Sequence, residues 1–422
     1  MNETNSTGIR KLQDSDFVEF ARLMTQAYPA MLPEQFTPES KQRWIERMKS
    51  QNNEVKEINY YGYFINGNMK GGMVFYDYIM NVWGQKVNVG GVGQVCVDLL
   101  RKKEHIAKRM IQYFHSHYYD RGYPLTALYP FFSGFYKQMG YGIGGKYNQY
   151  RFKPISVKKS SKENLRFLDS SDTKKLLQFF NSYVDEIHGM IYRSEKTIKR
   201  LINSYNVIAY LNGDEIQGYL AFRFNKLIKD NFLRHDLVID EFFYSSKEAF
   251  RELLAFLHSQ NDQVEHIIYN TQDNEFHHIL EDPRSGGNHL FLTAQECNLQ
   301  GVGIMYRVLN VEKFLSSLKL KFLNIFDHLT ISLKIIDTFM TKNERIYNLK
   351  FEKGFLELLT EDSKPDVQIK MDIADFSSLF MGVVSFNTLY YSELVKISHP
   401  EYVNTLDTLF RNGINPITIE QF

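Results

Sequence analysis

Val95-Cys96-Val97-Asp98-Leu99-Leu100-Arg101-Lys102-Lys103-Glu104-His105-Ile106-Ala107 is the stretch on which the reading of this chain turns. A short apolar strand runs directly into a basic loop. Ile106 to His117 then repeats its apolar residues at helical spacing. About thirty residues on, Phe135-Tyr136-Lys137-Gln138-Met139-Gly140-Tyr141 reads as a helix stopped by Gly140, with Tyr136 one turn before the stop. A strand, a cationic turn and a helix N-terminus form a cradle for a pyrophosphate, because unpaired N–H groups and the helix dipole both face the anion.

Working outward, the 422 residues exceed one ordinary core, and about two to four domains are expected. A 43% apolar and 23% charged composition is that of a soluble globular protein. A net charge of +1 argues against nucleic acid as the main partner, although Arg101 to Arg109 is a local basic patch. Cys96 and Cys297 form no disulfide framework and no zinc-ligand spacing, so no metal is expected. Cys96, inside the strand, reads as a small buried residue. The polar N-terminus has no apolar signal region, and no apolar run approaches a membrane span. A cytoplasmic location is the expectation.

Two stretches read as copies of one unit. Tyr61 to Ile65, Asn66-Gly67 and Gly72 to Tyr76 match Val207 to Leu211, Asn212-Gly213 and Gly218 to Phe222. Asn-Gly between apolar runs predicts a hairpin in each copy, because both central turn residues need positive φ. Leu12 to Asp16 and Leu168 to Asp172 each offer capping groups ahead of an apolar-periodic segment. The copies differ where chemistry would occur. The second loop, Tyr244-Ser245-Ser246-Lys247-Glu248-Ala249, has one lysine and no glycine, and no Tyr-x-x-x-Gly-Tyr element follows its helix. The second unit therefore reads as a scaffold without a cofactor site.

The Ser/Lys-rich segment from Lys153 to Lys162 separates the units, and Asp282 to Gly287 is a loop near the end of the second. Beyond it, Leu333 to Phe339, Ile346 to Phe351, Phe355 to Leu359 and Val367 to Met371 read as strands. Ile373 to Gly382 and Tyr402 to Phe410 read as helices, the latter ending near Asn412-Gly413. The expected fold class is α+β: two tandem α/β units, the second degenerate, and a C-terminal α+β domain. The expected boundaries are 1–153, 154–304 and 305–422.

The loop and the Tyr136 segment resemble the two core motifs of GNAT-type N-acetyltransferases. Laid on the family's Arg/Gln-x-x-Gly-x-Gly/Ala loop, Lys102 stands for the first residue, His105 for the first glycine and Ala107 for the last position. A lysine still brings charge to a phosphate, as a point rather than a fork. His105 adds a Cβ and a ring; it is tolerated at helical φ/ψ and costs cofactor affinity elsewhere. The order of three domains resembles the enhanced intracellular survival (Eis-like) family. Its members carry an active GNAT domain, a degenerate one and a domain similar to sterol carrier proteins.

That resemblance implies acetyl-CoA as acetyl donor, held by Val95, Val97, Lys102, Lys103, His105, Ile106 and Ala107. It implies Tyr136 and the terminal carboxylate, here Phe422, as the catalytic pair, with Gln421 where the family often has an acid. The acceptor would be a small-molecule or peptide amine: an aminoglycoside, a polyamine-like molecule or a lysine side chain. Assembly as a homo-oligomer, a trimer or hexamer, is also implied. The chemistry is coherent. An ammonium must lose a proton before it attacks a thioester, and a carboxylate with a reference pKa of about 3.5 holds it and relays that proton through water. A tyrosine, pKa about 10, protonates the leaving thiolate. N–H groups beside Val95 and Val97 polarise the carbonyl. Alternatives are an aminoacyl or acyl transferase of the tandem type, or a non-catalytic acyl-CoA or lipid-binding regulator. Tyr136 and Phe422 also have packing readings, and His115 and His117 read as structural or exposed.

Overall fold

The structure is a computed structural model describing residues 7–31, 36–228, 231–287, 289–291, 293–318, 328–359, 364–410 and 415–422. In chain order the first repeat supplies β1 (Gly8–Lys11), α1 (Phe17–Ala27), α2 (Pro38–Glu54), β2 (Ile58–Ile65), β3 (Asn68–Val82) and β4 (Gln85–Val97). It continues with α3 (Ile106–Asp120), β5 (Leu125–Leu128), α4 (Ser133–Lys137), β6 (Gly142–Ile143) and β7 (Lys146–Phe152). The second supplies β8 (Leu165–Phe167), α5 (Thr173–Glu186), α6 (Glu195–Ser204), β9 (Asn206–Asn212), β10 (Glu215–Ile228) and β11 (Asn231–Tyr244). After these come α7 (Lys247–His258), β12 (Val264–Thr271), β13 (Asn298–Val302) and β14 (Met305–Val308). The remainder is α8 (Val311–Ser317), β15 (His328–Ile336), β16 (Ile346–Glu352), β17 (Phe355–Leu359), β18 (Val367–Asp372), α9 (Ile373–Phe380), α10 (Phe386–Tyr391), β19 (Val395–Ile397) and α11 (Val403–Phe410). The turn expected near Asn412-Gly413 lies outside the described residues.

The chain forms two compact units. One holds Met1–Gly144, Ile304–Asn415 and Glu420–Phe422; the other holds Gly145–Gly303 and Pro416–Ile419. The first unit contains a sheet of order β1-β2-β3-β4-β5-β14-β6 and a second sheet of order β17-β16-β15-β18-β19. In the former only β4 and β5 run parallel. Helix α3 covers one face, with Ile106, Met110 and Phe114 on Met73, Phe75 and Val92. Phe17, Phe20, Leu23 and Ile45 from α1 and α2 cover the other, against Tyr60, Val74 and Cys96. Cys96 is buried as expected, and burial pushes its thiol up to about 12. The second unit repeats the pattern in a sheet of order β13-β7-β12-β11-β10-β9-β8, where only β11 and β12 are parallel.

The internal repeat extends to side chains. Arg10 grips Asp16 with two hydrogen bonds of 2.7 and 3.0 Å, and Arg166 grips Asp172 with two of 2.8 and 2.6 Å. Both aspartates close a capping box that starts the following helix. The hairpins differ by one residue. Asn66 and Gly67 both have positive φ, 48° and 78°, as a two-residue turn requires. In the second copy Asn212 instead pairs with Glu215, so Gly213 (φ 61°) and Asp214 make the turn. A bulge between Ile216 and Gly218 absorbs the shift.

Two strands sit elsewhere than the sequence reading has them. Lys146–Phe152, assigned to the first domain, pairs with β12 and β13 in the second unit. Met305–Val308, assigned to the third, pairs with β5 and β6 in the first. Both are short segments next to glycines, Gly144-Gly145 and Gly303, and nothing local selects the strand they join.

Candidate active site

Strands β4 and β5 pair only from Val89↔Leu125 to Val92↔Leu128; β4 then continues to Val97 paired with β3 but not with β5. The divergence has a local cause. Between Gly93 and Cys96, β4 carries two residues against one on β3, and Gln94 at the bulge has φ 51°. Val95 and Val97 therefore lie on the part of the strand that β5 does not cover.

The loop that follows is built by its own residues. Asp98 accepts the Leu100 N–H at 3.1 Å and starts a short turn. Lys102 and Lys103 are exposed. Lys103 and His105 both lie in the left-handed region, at φ 68° and 61°. His105 is the residue before α3, and no side chain caps that helix. The first helical bond is Arg109 N–H to His105 C=O at 3.0 Å, so the preceding first-turn N–H groups are available to an anion. Ile106 is buried against Met73 and Val95, and Ala107 is half-buried. The residues present thus suit a phosphate-bearing cofactor: an uncapped helix start, two exposed lysines and an uncovered strand edge. His105 occupies a glycine-type conformation, not the helical one that tolerates it.

Tyr136 lies in α4 and is 2% exposed. It shares a core cluster with Val95, Ile106 and Met139. Its ring meets Phe131 and Phe135 edge-on at 5.6 and 5.2 Å. Burial raises its pKa above the ordinary tyrosine value, with Tyr28 and Tyr141 adding to the effect, so the hydroxyl stays protonated. Tyr28, which the sequence reading did not single out, lies beside Val95. Its hydroxyl donates to the Val95 carbonyl at 2.6 Å, and burial pushes it up to about 12. It ends α1 without any motif to mark it.

Phe422 reaches β4 as well. Its ring packs against Tyr76, Tyr78 and Tyr129 at centroid distances of 5.6, 5.2 and 5.4 Å. A Cβ on Gly91 would touch that ring at 3.1 Å, and one on Gly93 would run into the Phe422 carboxyl group, 2.9 Å from its oxygen. The glycines at 91 and 93 leave the space that Phe422 fills, and Val95 is two residues further along the strand. In the second unit, the preceding tail is pinned. Ile417 N–H donates to the His188 carbonyl at 2.9 Å, Thr418 N–H to Gln272 Oε1, and the Thr418 hydroxyl to the Gly189 carbonyl at 2.8 Å.

The equivalent place in the second unit is lined by aromatic rings. Strands β11 and β12 part after Ile239↔Tyr269, and the Tyr244 ring packs against Phe242 and Phe250 at 5.4 and 4.5 Å. These three rings, with Tyr269 and Phe276, line a cavity of about 240 Å³. Ser246 caps α7 by accepting the Ala249 N–H at 3.2 Å, so that helix start is partly satisfied. His115 is buried beside Tyr141, with 3.1 Å between Nε2 and the hydroxyl; burial and Arg307 hold it well below the usual histidine pKa. His277 and His278 stack on each other at 4.1 Å. Among the described residues no cluster of His, Cys, Asp and Glu could hold a metal, and no helix is long and apolar enough to cross a membrane.

Comparison with known proteins accords with this geometry. Residues 8–144 and 189–308 each match an acetyltransferase (GNAT) domain, and residues 311–419 match a sterol carrier protein domain. No protein of curated function matches the chain. A GCN5-related N-acetyltransferase from Anabaena variabilis superposes with a TM-score of 0.81 at 16% identity, covering 99% of this chain and 100% of the other. A probable N-acyltransferase from Enterococcus faecalis gives 0.76 at 19%, again over 99% and 100%. The chain is a GNAT-type acyltransferase with tandem GNAT domains and a sterol carrier protein domain. Its arrangement is Eis-like: Eis1 of Mycobacterium abscessus superposes with a TM-score of 0.74 at 19% identity, over 99% of this chain and all of the other.

Proposed function

We propose that the first repeat transfers the acetyl group of acetyl-CoA to a cationic primary amine of the aminoglycoside, polyamine-like or lysine type. Acetyl-CoA supplies the activated thioester. Lys102, Lys103 and the first-turn N–H groups beside His105, Ile106 and Ala107 hold its phosphates. The free edge at Val95 and Val97 receives its pantetheine arm. The observation that carries the reading is Phe422, whose main-chain carboxyl lies on Gly93 while its ring packs against three tyrosine rings. A carboxylate beside the uncovered end of β4 suits an ammonium by charge. It is too weak a base to take the proton outright, so it orients the ammonium while water carries the proton away. Tyr136, kept neutral by burial, gives its proton to the departing thiolate.

The second repeat serves as a scaffold. The Ser246 cap on α7 and the single lysine of its loop support that reading. A homo-oligomer, a trimer or hexamer, belongs to the same proposal, and light scattering on the purified chain tests it. The function itself is tested by incubating the protein with acetyl-CoA and a panel of amines and following free thiol. Tyr136→Phe should keep acetyl-CoA binding and lower the single-turnover rate by about 10²-fold or more, the range of one proton donor. An unchanged rate makes Tyr136 a packing residue.

A further inference from the structure

Helix α4 is only five residues long and cannot hold its own geometry in isolation. What fixes its end is a side chain from β14. Arg307 is 0% exposed. Its Nη1 donates to the Met139 carbonyl at 2.7 Å, and its Nη2 donates to Asp337 Oδ2 at 2.6 Å. Asp337 is held in turn by the Asn343 side chain at 3.0 Å and the Met340 N–H at 2.9 Å. Gly140 has φ 83°, and a Cβ there would overlap Arg307 Nη1 and come within 2.7 Å of Cζ. The glycine of the Tyr136 segment thus serves both the turn and the guanidinium. Helix α9 braces the same segment: Asp375 pairs with Lys137 at 3.5 Å, and the Ser378 hydroxyl donates to the Ile143 carbonyl at 2.8 Å.

Two features mark this as more than packing. A buried ion pair is a poor source of stability, because desolvation consumes most of the attraction. Its planar fork, however, fixes two acceptors in one relative position, which a lysine cannot do. One of those acceptors is a terminal carbonyl of the segment that carries Tyr136; the other belongs to the sterol carrier protein region. We propose that Arg307, oriented by Asp337, is a positioning residue for acyl transfer: it sets the Met139–Gly140 backbone and through it the Tyr136 hydroxyl. This rests on Tyr136 being the proton donor. The sterol carrier protein region then contributes to the chemistry by holding the donor's helix.

The test is a double-mutant cycle on the full chain. Arg307→Lys, Asp337→Asn and the charge-free pair Arg307→Met with Asp337→Leu are each made with Tyr136 and with Tyr136→Phe. Single-turnover rate, acetyl-CoA affinity and thermal midpoint are read for each. Arg307→Lys and Asp337→Asn should lower the rate by about tenfold or more, since small misplacements of a reacting group are costly. Acetyl-CoA affinity should stay within about twofold. In the Tyr136→Phe background the same changes should lower the rate by less than about twofold. The charge-free pair, which leaves no lone buried charge, should stay folded and remain slow. Equal slowing in both backgrounds, or full activity in the charge-free pair, overturns the positioning role. If Tyr136→Phe alone leaves the rate unchanged, the donor assignment fails and takes this inference with it. A slow Tyr136→Phe with additive effects refutes the inference alone.

Discussion

Replacing His105 by glycine should not harm cofactor binding, although it removes a side chain from the middle of the phosphate loop. His105 stands at φ 61°, ψ 16°, immediately before α3. A side chain in that region costs about 1–2 kcal/mol relative to the ordinary conformations, and glycine escapes the cost. Glycine gives back about 0.5–1 kcal/mol through the entropy of the unfolded chain, so folding stability should rise by about 1 kcal/mol or less. Binding responds to a different quantity. If strain lets the free loop leave its binding-competent shape part of the time, affinity is reduced by that fraction. Relief of about 1 kcal/mol corresponds to about a fivefold gain at most. The expectation for His105→Gly in titration calorimetry with acetyl-CoA is therefore a dissociation constant unchanged or lowered by up to about fivefold. His105→Ala separates backbone from ring: it keeps the strain and loses the imidazole, and should bind like the parent. A sharp loss of affinity in both variants would refute the reasoning and make the ring itself a cofactor contact.

Other expectations follow from the same geometry. Lys102→Ala with Lys103→Ala should weaken acetyl-CoA by about tenfold or more, while Lys247→Ala, at the capped start of α7, should leave it unchanged in the same titration. Equal losses would mean that the second repeat also binds the cofactor. His115 is buried and neutral, with a pKa well below the ordinary value. The unfolded chain then binds the extra proton first as pH falls. The His115 contribution to stability is complete above about pH 6.5 and is lost below it, at up to about 1.4 kcal/mol per pH unit. Denaturant unfolding of His115→Gln should show a shallower decline between about pH 6.5 and 5 than the parent; parallel profiles would contradict this.

What could be read from the sequence was local. The Asn66-Gly67 turn, the capping residues ahead of α1 and α5, and the Gly140 stop each act within a few residues. The Asn212-Gly213 turn was misplaced by one residue because a bulge further along β10 set its register. Gly90, Gly91 and Gly93 carried no message in the sequence; their role appears only when Tyr118 and Phe422 are seen against them. Tyr28 and Arg307 were invisible for the same reason. Tyr28 meets Val95 across 67 residues and Arg307 meets Met139 across 168, and no spacing rule connects positions so far apart. The strands β7 and β14 show the limit most clearly, since nothing in their composition selects one sheet over the other.

The claim that the Phe422 carboxylate works in the active site is tested most directly by extending the chain. Appending a few residues after Phe422 converts its carboxylate to a neutral amide and places new backbone where the group meets Gly93. Turnover with the best amine, followed as free thiol, should fall by about 10²-fold or more at unchanged acetyl-CoA affinity, because the ammonium loses its counter-charge. The thermal midpoint should move by only a few degrees at most, about what the loss of one exposed-edge contact costs. An N-terminal extension of equal length is the control and should be silent. Full activity in the C-terminally extended enzyme would contradict the account and remove the terminus from the chemistry.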